Sequence, residues 1–409
     1  MLESVKNQYE DFPYPYRDPE NEKKRLRRVA FATPRFISHC CFGGENILHK
    51  DFRALDAGCG SGDATVHLAE ELKGVGATVT AIDFSQASLD ITKKRCEVRG
   101  LTNVNFICGD LMNLPEMNRG KFDYIVASGV LHHLENPVEG LNVLKSMLKD
   151  DGCIAIMVYG KYGRTALYMT QELMRIINQN VTDIKQKIEN TKSVIASYPP
   201  YHWNKMSLLN DEMQMGNIGI YDMYLHSQDR PYSVKELFNW VEKDCGMHII
   251  HFVSRAKYDA SSYMANKDLL KHIKTLSEKD QLSIGELLNG QIFKHSIIVS
   301  KIPKNFDYLN KDPHLYIPDV PGLATSNINE KTATIQFKQD GRTGVKIRMT
   351  PERIVLLNHI NGERTIKEIL DEAAKTLGVV KAEDEWKKFA KVLFGWDGLT
   401  FAKVEQAVQ

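Results

Sequence analysis

ALDAGCGSGD, residues 54–63, decides how the rest of the chain is read. An apolar strand pattern over 53–57 runs straight into Gly58-Cys59-Gly60-Ser61-Gly62, and a helix-like run over 64–72 follows. Glycines permit a sharp strand-to-helix turn and let a ligand approach bare backbone. The helix start adds free N–H groups and the positive end of a dipole. Working outward, a second apolar run, 79–82, ends on Asp83. A carboxylate about twenty residues past such glycines is placed to bind two ribose hydroxyls. A third run, 104–108, leads to Gly109-Asp110-Leu111, and a fourth, 122–127, ends at Ser128-Gly129-Val130-Leu131-His132-His133-Leu134.

Four segments therefore recur at strand ends: LDAGCGSGD (55–63), the acid of AIDFS (81–85), CGDL (108–111) and FDYIVASGVLHHL (122–134). Their order and spacing over 53–159 resemble the class I S-adenosylmethionine (SAM) dependent methyltransferases. The resemblance implies an α/β fold with a Rossmann-like sheet of seven strands. It also implies SAM as cofactor, leaving S-adenosyl-L-homocysteine as product. In that family the loop holds the methionine part of SAM, the first acid the ribose, and the CGDL acid the adenine amine. Carried over, those roles fall on Asp56, Gly58, Gly60, Asp83 and Asp110, and Phe84, Leu111 and Ser128 complete the cofactor-binding set. Dinucleotide-binding folds share the glycine loop, but a GDL acid after the third strand and LHHL after the fourth are not their pattern.

Bulk properties bound the rest. At 409 residues the chain has room for two or three domains. Apolar content of 43% and charged content of 26% are those of an ordinary soluble protein. With 53 basic and 52 acidic side chains the formal charge is +1, so no global field favours nucleic acid or an anionic membrane. There is no apolar leader and no apolar run of the ~18 residues a membrane span needs. The seven cysteines lack metal-ligand spacing, so no metal site is expected. Reduced, mostly buried thiols point to a cytoplasmic protein.

Residues 1–52 read as an N-terminal arm with lid helices. QYEDFPYPYR (8–17) is dense in aromatics and proline, and Pro13 and Pro15 exclude a helix interior. It is similar to a YEEYPYP-like lead that precedes the SAM domain in one methyltransferase subgroup, which implies a lid over the cofactor. An arm stapled to the core by its tyrosines is the other reading, and both can hold at once. KKRLRR (23–28) reads as a solvated helix face, with a phosphate contact as the alternative. Residues 53–159 form the SAM-binding core, with helices over 85–99 and 137–148 and a fifth strand over 153–158. Continuous apolar runs indicate parallel strands covered on both faces. An amphipathic helix over 233–245, a sixth strand over 247–253 and a seventh over 295–300 complete the sheet within 232–303, the seventh inserting antiparallel as in the resembled family. Residues 160–231 are then an insertion after the fifth strand, helical over 165–197 and aromatic and polar beyond. Residues 304–331 form a linker, and 332–409 a small α+β, winged-helix-like module. That module starts with a hairpin around Asp340-Gly341, followed by helices from Thr350 and Thr365 and over 383–399. Its helices show no basic stripe, which argues against nucleic acid.

Methyl transfer requires alignment of a nucleophile, exclusion of water, and a base only where the nucleophile arrives protonated. The candidates lie where the fourth and fifth strands meet the insertion. His132 follows the fourth strand, although LHHL in related methyltransferases more often shapes the pocket. Tyr159, Tyr162 and Arg164 come from YGKYGR, which frames an acceptor or forms a plain turn. Tyr221, Asp222, His226, Asp229 and Arg230 cluster in YDMYLHSQDR, suited to a polar or cationic acceptor or to an ion-paired lock. Tyr159, Tyr221, Asp222 and His132 make the catalytic set. Tyr162, Arg164, His226, Asp229 and Arg230 make the acceptor-binding set. Arm, core and long accessory region together look similar to bacterial protein lysine methyltransferases of the rickettsial outer-membrane-protein type. That resemblance implies a lysine acceptor. A small-molecule O- or N-methyltransferase and a SAM-binding assembly or regulatory factor without turnover are the alternatives, because SAM motifs report the donor and not the acceptor.

Overall fold

The computed structural model describes residues 10, 13–206, 216–226, 228–308, 310, 312–320, 334–336 and 346–404. Tyr9 of the arm and the Asp340-Gly341 turn lie outside them. Five strands alternate with helices from the first glycine loop onward: β1 (Arg53–Ala57), β2 (Thr78–Asp83), β3 (Val104–Cys108), β4 (Phe122–Ser128) and β5 (Leu148–Tyr159). With β6 (His248–Phe252) and β7 (Lys294–Ser300) they form one sheet in the order β3-β2-β1-β4-β5-β7-β6. β1 to β5 run parallel, and β7 inserts antiparallel between β5 and β6.

Alternation within each strand feeds two cores. Ile125 and Ala127 of β4 enter one with Ile154 and Ile156 of β5, while Tyr124 and Val126 enter the other with Cys153 and Ala155. Each fully buried Ile or Val contributes about 1.5–3 kcal/mol, so a one-residue slip in any central strand is heavily penalised. The first-half helices are α1 (Pro34–Phe42), α2 (Asp63–Glu71), α3 (Gln86–Val98) and α4 (Pro137–Met147). Their starts follow the capping rules: Ser85 accepts from Ser88 N, and Asn136 accepts from Val138 N and Glu139 N ahead of Pro137.

β5 begins five residues before the expected start at Cys153. Leu148 already pairs with Phe122, and a register irregularity takes up Lys149 to Gly152 before Cys153 pairs with Tyr124. The expected helix over 233–245 is α-helical only over Val234–Phe238 and continues as a wide π turn over Asn239–Asp244. The wide turn buries the adjacent Trp240 and Val241 together, with Trp240 Nε1 donating to Pro137 O at 3.2 Å.

The insertion carries α5 (Thr165–Ile177), α6 (Ile184–Ser197), the short α7 (Trp203–Met206) and α8 (Gly216–Tyr224). Tyr221 and Asp222 thus sit on a helix, where the sequence reads as an aromatic, polar loop. The Val234–Phe238 helix is α9; α10 (Lys267–Ile273) and α11 (Glu278–Asn289) fill the stretch before β7. Past β7, β8 (Tyr316–Asp319) runs antiparallel to the last strand β11 (Thr400–Lys403). Pro318 masks that strand in the sequence and is tolerated because a two-stranded sheet has only edges. β9 (Thr334–Gln336) pairs antiparallel with β10 (Lys346–Arg348). Helices α12 (Pro351–His359), α13 (Ile366–Leu377) and α14 (Val379–Gly395) complete this part. Thr350 caps α12, and a reciprocal Thr365–Glu368 box caps α13. Its core, with Trp386, Phe389 and Leu393, also takes in Tyr308 and Tyr316 from the stretch read as linker. The C-terminal part docks on α1 and β6: Tyr308 stacks on His39 at 4.5 Å, and His251 Nε2 meets Asp397 Oδ1 at 2.9 Å. Among the described residues no helix is long and apolar enough to cross a membrane. The seven cysteines are unpaired, and all but Cys108 are buried.

Candidate active site

Parallel strands bring their carboxyl ends to one edge, and the order 3-2-1-4-5 places the topological switch between β1 and β4. The glycine loop leaves β1 there. Gly58 has φ +75°, and a Cβ added to it would stand 2.5 Å from Val130, the residue two past β4. The backbone therefore passes where no side chain fits. Gly60, at φ +52°, donates its N–H to Asp83 Oδ2 at 2.7 Å, while Ser85 N donates to Asp83 Oδ1 at 2.9 Å. The first acid is thus locked to the loop by backbone donors from both sides. Burial pushes the Asp83 carboxyl above its usual range, against those donors. Asp56 lies inside the sheet, accepts from Thr65 Oγ1 at 2.7 Å, and is pushed up to about 7 by burial. Asp110 caps the 3-10 turn Leu111–Met117 by accepting from Met112 N. Phe84 and Ser128 are half-buried at the same edge, and Leu111 is buried.

The N-terminal arm crosses this edge. Glu10 accepts from Gln86 N at 2.7 Å and Ala87 N at 3.3 Å, at the start of α3. The Tyr14 carbonyl lies 3.0 Å from a Cβ built on Gly60, and Ser61 Oγ donates to Pro15 O. Charge holds the arm down. Arg17 grips Asp63 through Nε and Nη2 at 2.9–3.1 Å. Arg95, buried on α3, donates to Glu22 at 2.7 and 2.9 Å and to Asp63 at 2.9 Å. The basic run 23–28 is not a helix face: only Lys23 is helical, and Arg27 joins the same cluster on Asp63 at 2.9 Å. These arginines hold the Asp63 carboxyl below its usual range despite burial.

A second cluster stands at the end of β5. The Arg164 guanidinium lies 3.6 Å from the centre of the Tyr159 ring, and the His132 ring 4.2 Å from it on another side. His133 is 4.0 Å from His132 and stacks on His226 at 4.1 Å. His133 Nδ1–H donates to Gln228 O at 2.7 Å, and Gln228 N donates to His226 Nδ1 at 3.0 Å. Asp229 accepts from Tyr168 OH and Gln171 Nε2, both at 3.3 Å, and Arg164 Nη2 is 4.0 Å away. Burial drives the three imidazoles down, so they are neutral at ordinary pH. Burial, with Asp222 and Tyr14 nearby, pushes the Tyr159 phenol well above its usual value, and it keeps its proton. Asp222 is buried on α8 and acts electrostatically on Tyr159.

Of the residues picked from the sequence, Tyr159, His132, Arg164, His226 and Asp229 share this cluster, and Asp222 borders it. Tyr162 is 40% exposed and Arg230 is exposed, its side chain bonding Tyr232. The sequence reading placed His133 beside His132 but outside the site set, and did not single out Gln228, Gln171 or Tyr14. The doubled histidine was a usable signal for His133; nothing marks a glutamine as a partner before the chain is folded. An open cavity of about 540 Å³ lies elsewhere, lined by Phe52, Asp123, Asp151, Lys304 and others near the amino ends of β1, β4 and β5, away from both clusters.

Residues 48–239 match a family described as methyltransferase domain. The chain carries a class I methyltransferase domain. The Rossmann-like sheet of seven strands, with β7 antiparallel between β5 and β6, is the fold of that class. Over most of its length the chain is similar to PKMT2 of Rickettsia typhi in complex with AdoHcy. That match has a TM-score of 0.65 at 14% identity and covers 92% of this chain and 76% of the other. In sequence it is 28% identical to an uncharacterised protein of Synechococcus sp., over 66% of this chain and 65% of that protein. It is 33% identical to demethylmenaquinone methyltransferase of Staphylococcus aureus, over 27% of this chain and 44% of that enzyme. The chain thus spans between about two fifths and two thirds of these curated relatives.

Proposed function

We propose that this protein is a SAM-dependent methyltransferase whose acceptor is a protein lysine amine. One observation carries the donor side. At the switch point, a loop of glycines in positive φ is bonded to the carboxylate ending β2, and the arm's Tyr14-Pro15 backbone lies across it. The residues fit SAM: bare loop backbone for the amino acid part, Asp83 for ribose hydroxyls and Asp110 for an exocyclic amine. Asp56 supports the loop from below, and Phe84, Leu111 and Ser128 flank it. When bound, SAM supplies a methyl group already activated by a sulfonium. The protein then has to orient the acceptor and exclude water.

Lysine reaches such a site charged, with a reference pKa of about 10.4. Asp222, with Tyr221 beside it on α8, receives the ammonium. Tyr159, still protonated, is a wall and hydrogen-bond donor and not the base. His132, neutral and strongly depressed, is a poor proton acceptor. Removal of the amine proton therefore falls to Asp222 or to water beside it. Arg164, His226 and Asp229 hold Tyr159 and its surroundings in place, while Tyr162 and Arg230 lie at the rim. The sequence resemblance to rickettsial lysine methyltransferases and the likeness to R. typhi PKMT2 over 92% of this chain support this acceptor. The S. aureus similarity covers 27% of the chain and so speaks to the domain common to both, not to a quinol acceptor.

Labelled methyl groups followed from SAM into a cell lysate, split into protein, RNA and small-molecule fractions, test the reading. Label on protein lysines is expected. Label confined to small molecules would replace the lysine reading with metabolite methylation. Calorimetric binding of S-adenosylhomocysteine with no transfer would favour a regulatory SAM-binding factor, and binding of NAD in its place would end the donor assignment.

A further inference from the structure

His132 poses a problem that methyl transfer does not solve. Its ring is fully buried, and neither nitrogen has a hydrogen-bond partner among the described residues. A buried polar group left unpaired costs about 1–3 kcal/mol, and native proteins rarely accept that without a use for the group. Its neighbours are unusual as well. A ring nitrogen of His132, a ring nitrogen of His133 and a carboxylate oxygen of Asp229 all lie within 4.8 Å of one another. His133 commits its Nδ1–H to the Gln228 carbonyl, which leaves Nε2 with a bare lone pair. That is the outer contact that usually fixes the tautomer of a ligating imidazole. Asp229 is held in turn by Tyr168 and Gln171, as ligating carboxylates commonly are.

We infer that His132, His133 and Asp229 form a binding site for a divalent transition-metal ion of the zinc class. Two imidazoles and one carboxylate are borderline ligands, suited to Zn²⁺, Co²⁺ or Ni²⁺ and poorly suited to Mg²⁺ or Ca²⁺. Three protein ligands leave a coordination position open. The three atoms need only draw together from within 4.8 Å to reach metal-ligand spacing. His226 is not a fourth ligand: its Nδ1 accepts from Gln228 N, so its proton sits on Nε2, and it serves as the stacking wall behind His133. Arg164 opposes the ion, because its guanidinium lies 4.0 Å from the same carboxylate. The site is independent of the methyl donor, and its test uses no SAM.

Full-length protein from cells grown with added zinc, or with added cobalt, is analysed by elemental mass spectrometry. About one ion per chain is expected, as for a site of three protein ligands. The cobalt form should show visible d–d absorption. His132→Asn and Asp229→Asn each remove a ligand and should lower affinity by more than the roughly 10–100-fold that loss of outer contacts costs. Arg164→Gln removes the competitor and should tighten binding. Circular dichroism of each variant checks that it folds; if His132→Asn does not, Asp229→Asn and the wild type decide. Wild-type protein free of metal in both preparations would overturn the site. So would full occupancy retained in a folded His132→Asn or Asp229→Asn protein.

Discussion

The two clusters at the carboxyl edge of the sheet are built in opposite ways. At the glycine loop, carboxylates are held by donors close in sequence or one strand away: Asp56 by Thr65, Asp83 by Ser85 and Gly60, Asp110 by Met112. At the end of β5, imidazoles, an arginine and an aspartate arrive from 132–133, 164 and 226–229, and meet through stacking and long contacts. The first cluster is a property of short motifs. The second exists only once the insertion has folded onto the sheet. The difference teaches where a change should act. Substitutions in the first should disturb the donor site and the sheet together, and substitutions in the second should be separable from the donor.

Gly58→Ala should give the largest effect. A non-glycine residue at positive φ costs about 1–2 kcal/mol, and overpacking against Val130 about 1–3 kcal/mol more. A loss of roughly 2–5 kcal/mol in denaturant unfolding is expected, with S-adenosylhomocysteine binding abolished. Near-wild-type stability and binding would show that the loop does not need its bare backbone.

Asp56→Asn should change the pH dependence of stability. Burial raises the Asp56 carboxyl to about 7 in the fold, against about 3.9 in an unfolded chain. A raised acid favours folding fully below the unfolded value and loses that contribution as pH rises through the folded one. Between pH 4 and 8 the wild type should therefore lose on the order of 2–4 kcal/mol that the asparagine variant keeps. Parallel stability curves for the two proteins across that range would mean that Asp56 carries no buried-charge cost.

Legibility followed the same division. The strands from Arg53 to Ser128 and their caps could be read because each is written in a contiguous run: apolar residues, then glycine or acid, then a capping serine or asparagine. The stretch before β7 held no motif, and α10 and α11 went unread. β8 was hidden by Pro318, because pairing with a strand more than eighty positions away leaves no local trace. At the second cluster the chemistry-bearing residue types were visible, but their grouping was not. Arg164 was legible as an acceptor-binding candidate, but not its place on the Tyr159 ring, and Asp222 read as a loop residue although it lies on α8. His133, Gln228 and Gln171 take part through contacts spanning 52 to 95 positions, which no spacing rule addresses.

Asp83→Ala tests the donor assignment directly. It removes an acceptor of two backbone N–H groups and the group proposed to hold ribose hydroxyls. Calorimetry should show S-adenosylhomocysteine binding weakened by about 1.5–3 kcal/mol, the range for hydrogen bonds to a charged group. An unchanged affinity would move ribose recognition elsewhere and leave Asp83 as a brace for the loop.

Asp222→Asn is the finest test, because the two clusters make contrasting demands of it. Asp222 is buried on α8 and acts electrostatically on Tyr159, so its charge belongs to the second cluster. If it receives a lysine ammonium, removing the charge while keeping the shape should cost acceptor kcat/KM about tenfold, or ~1.4 kcal/mol. S-adenosylhomocysteine affinity should stay within about twofold, a few tenths of a kcal/mol. The way kcat/KM falls adds detail: a raised KM means the carboxylate binds the incoming cation, and a lowered kcat means it helps remove the proton. Wild-type kinetics would leave Asp222 a structural charge that only tunes Tyr159. Loss of cofactor binding together with acceptor kinetics would do more: it would show that α8 closes over the donor, and that the two clusters, for all their difference in construction, work as one site.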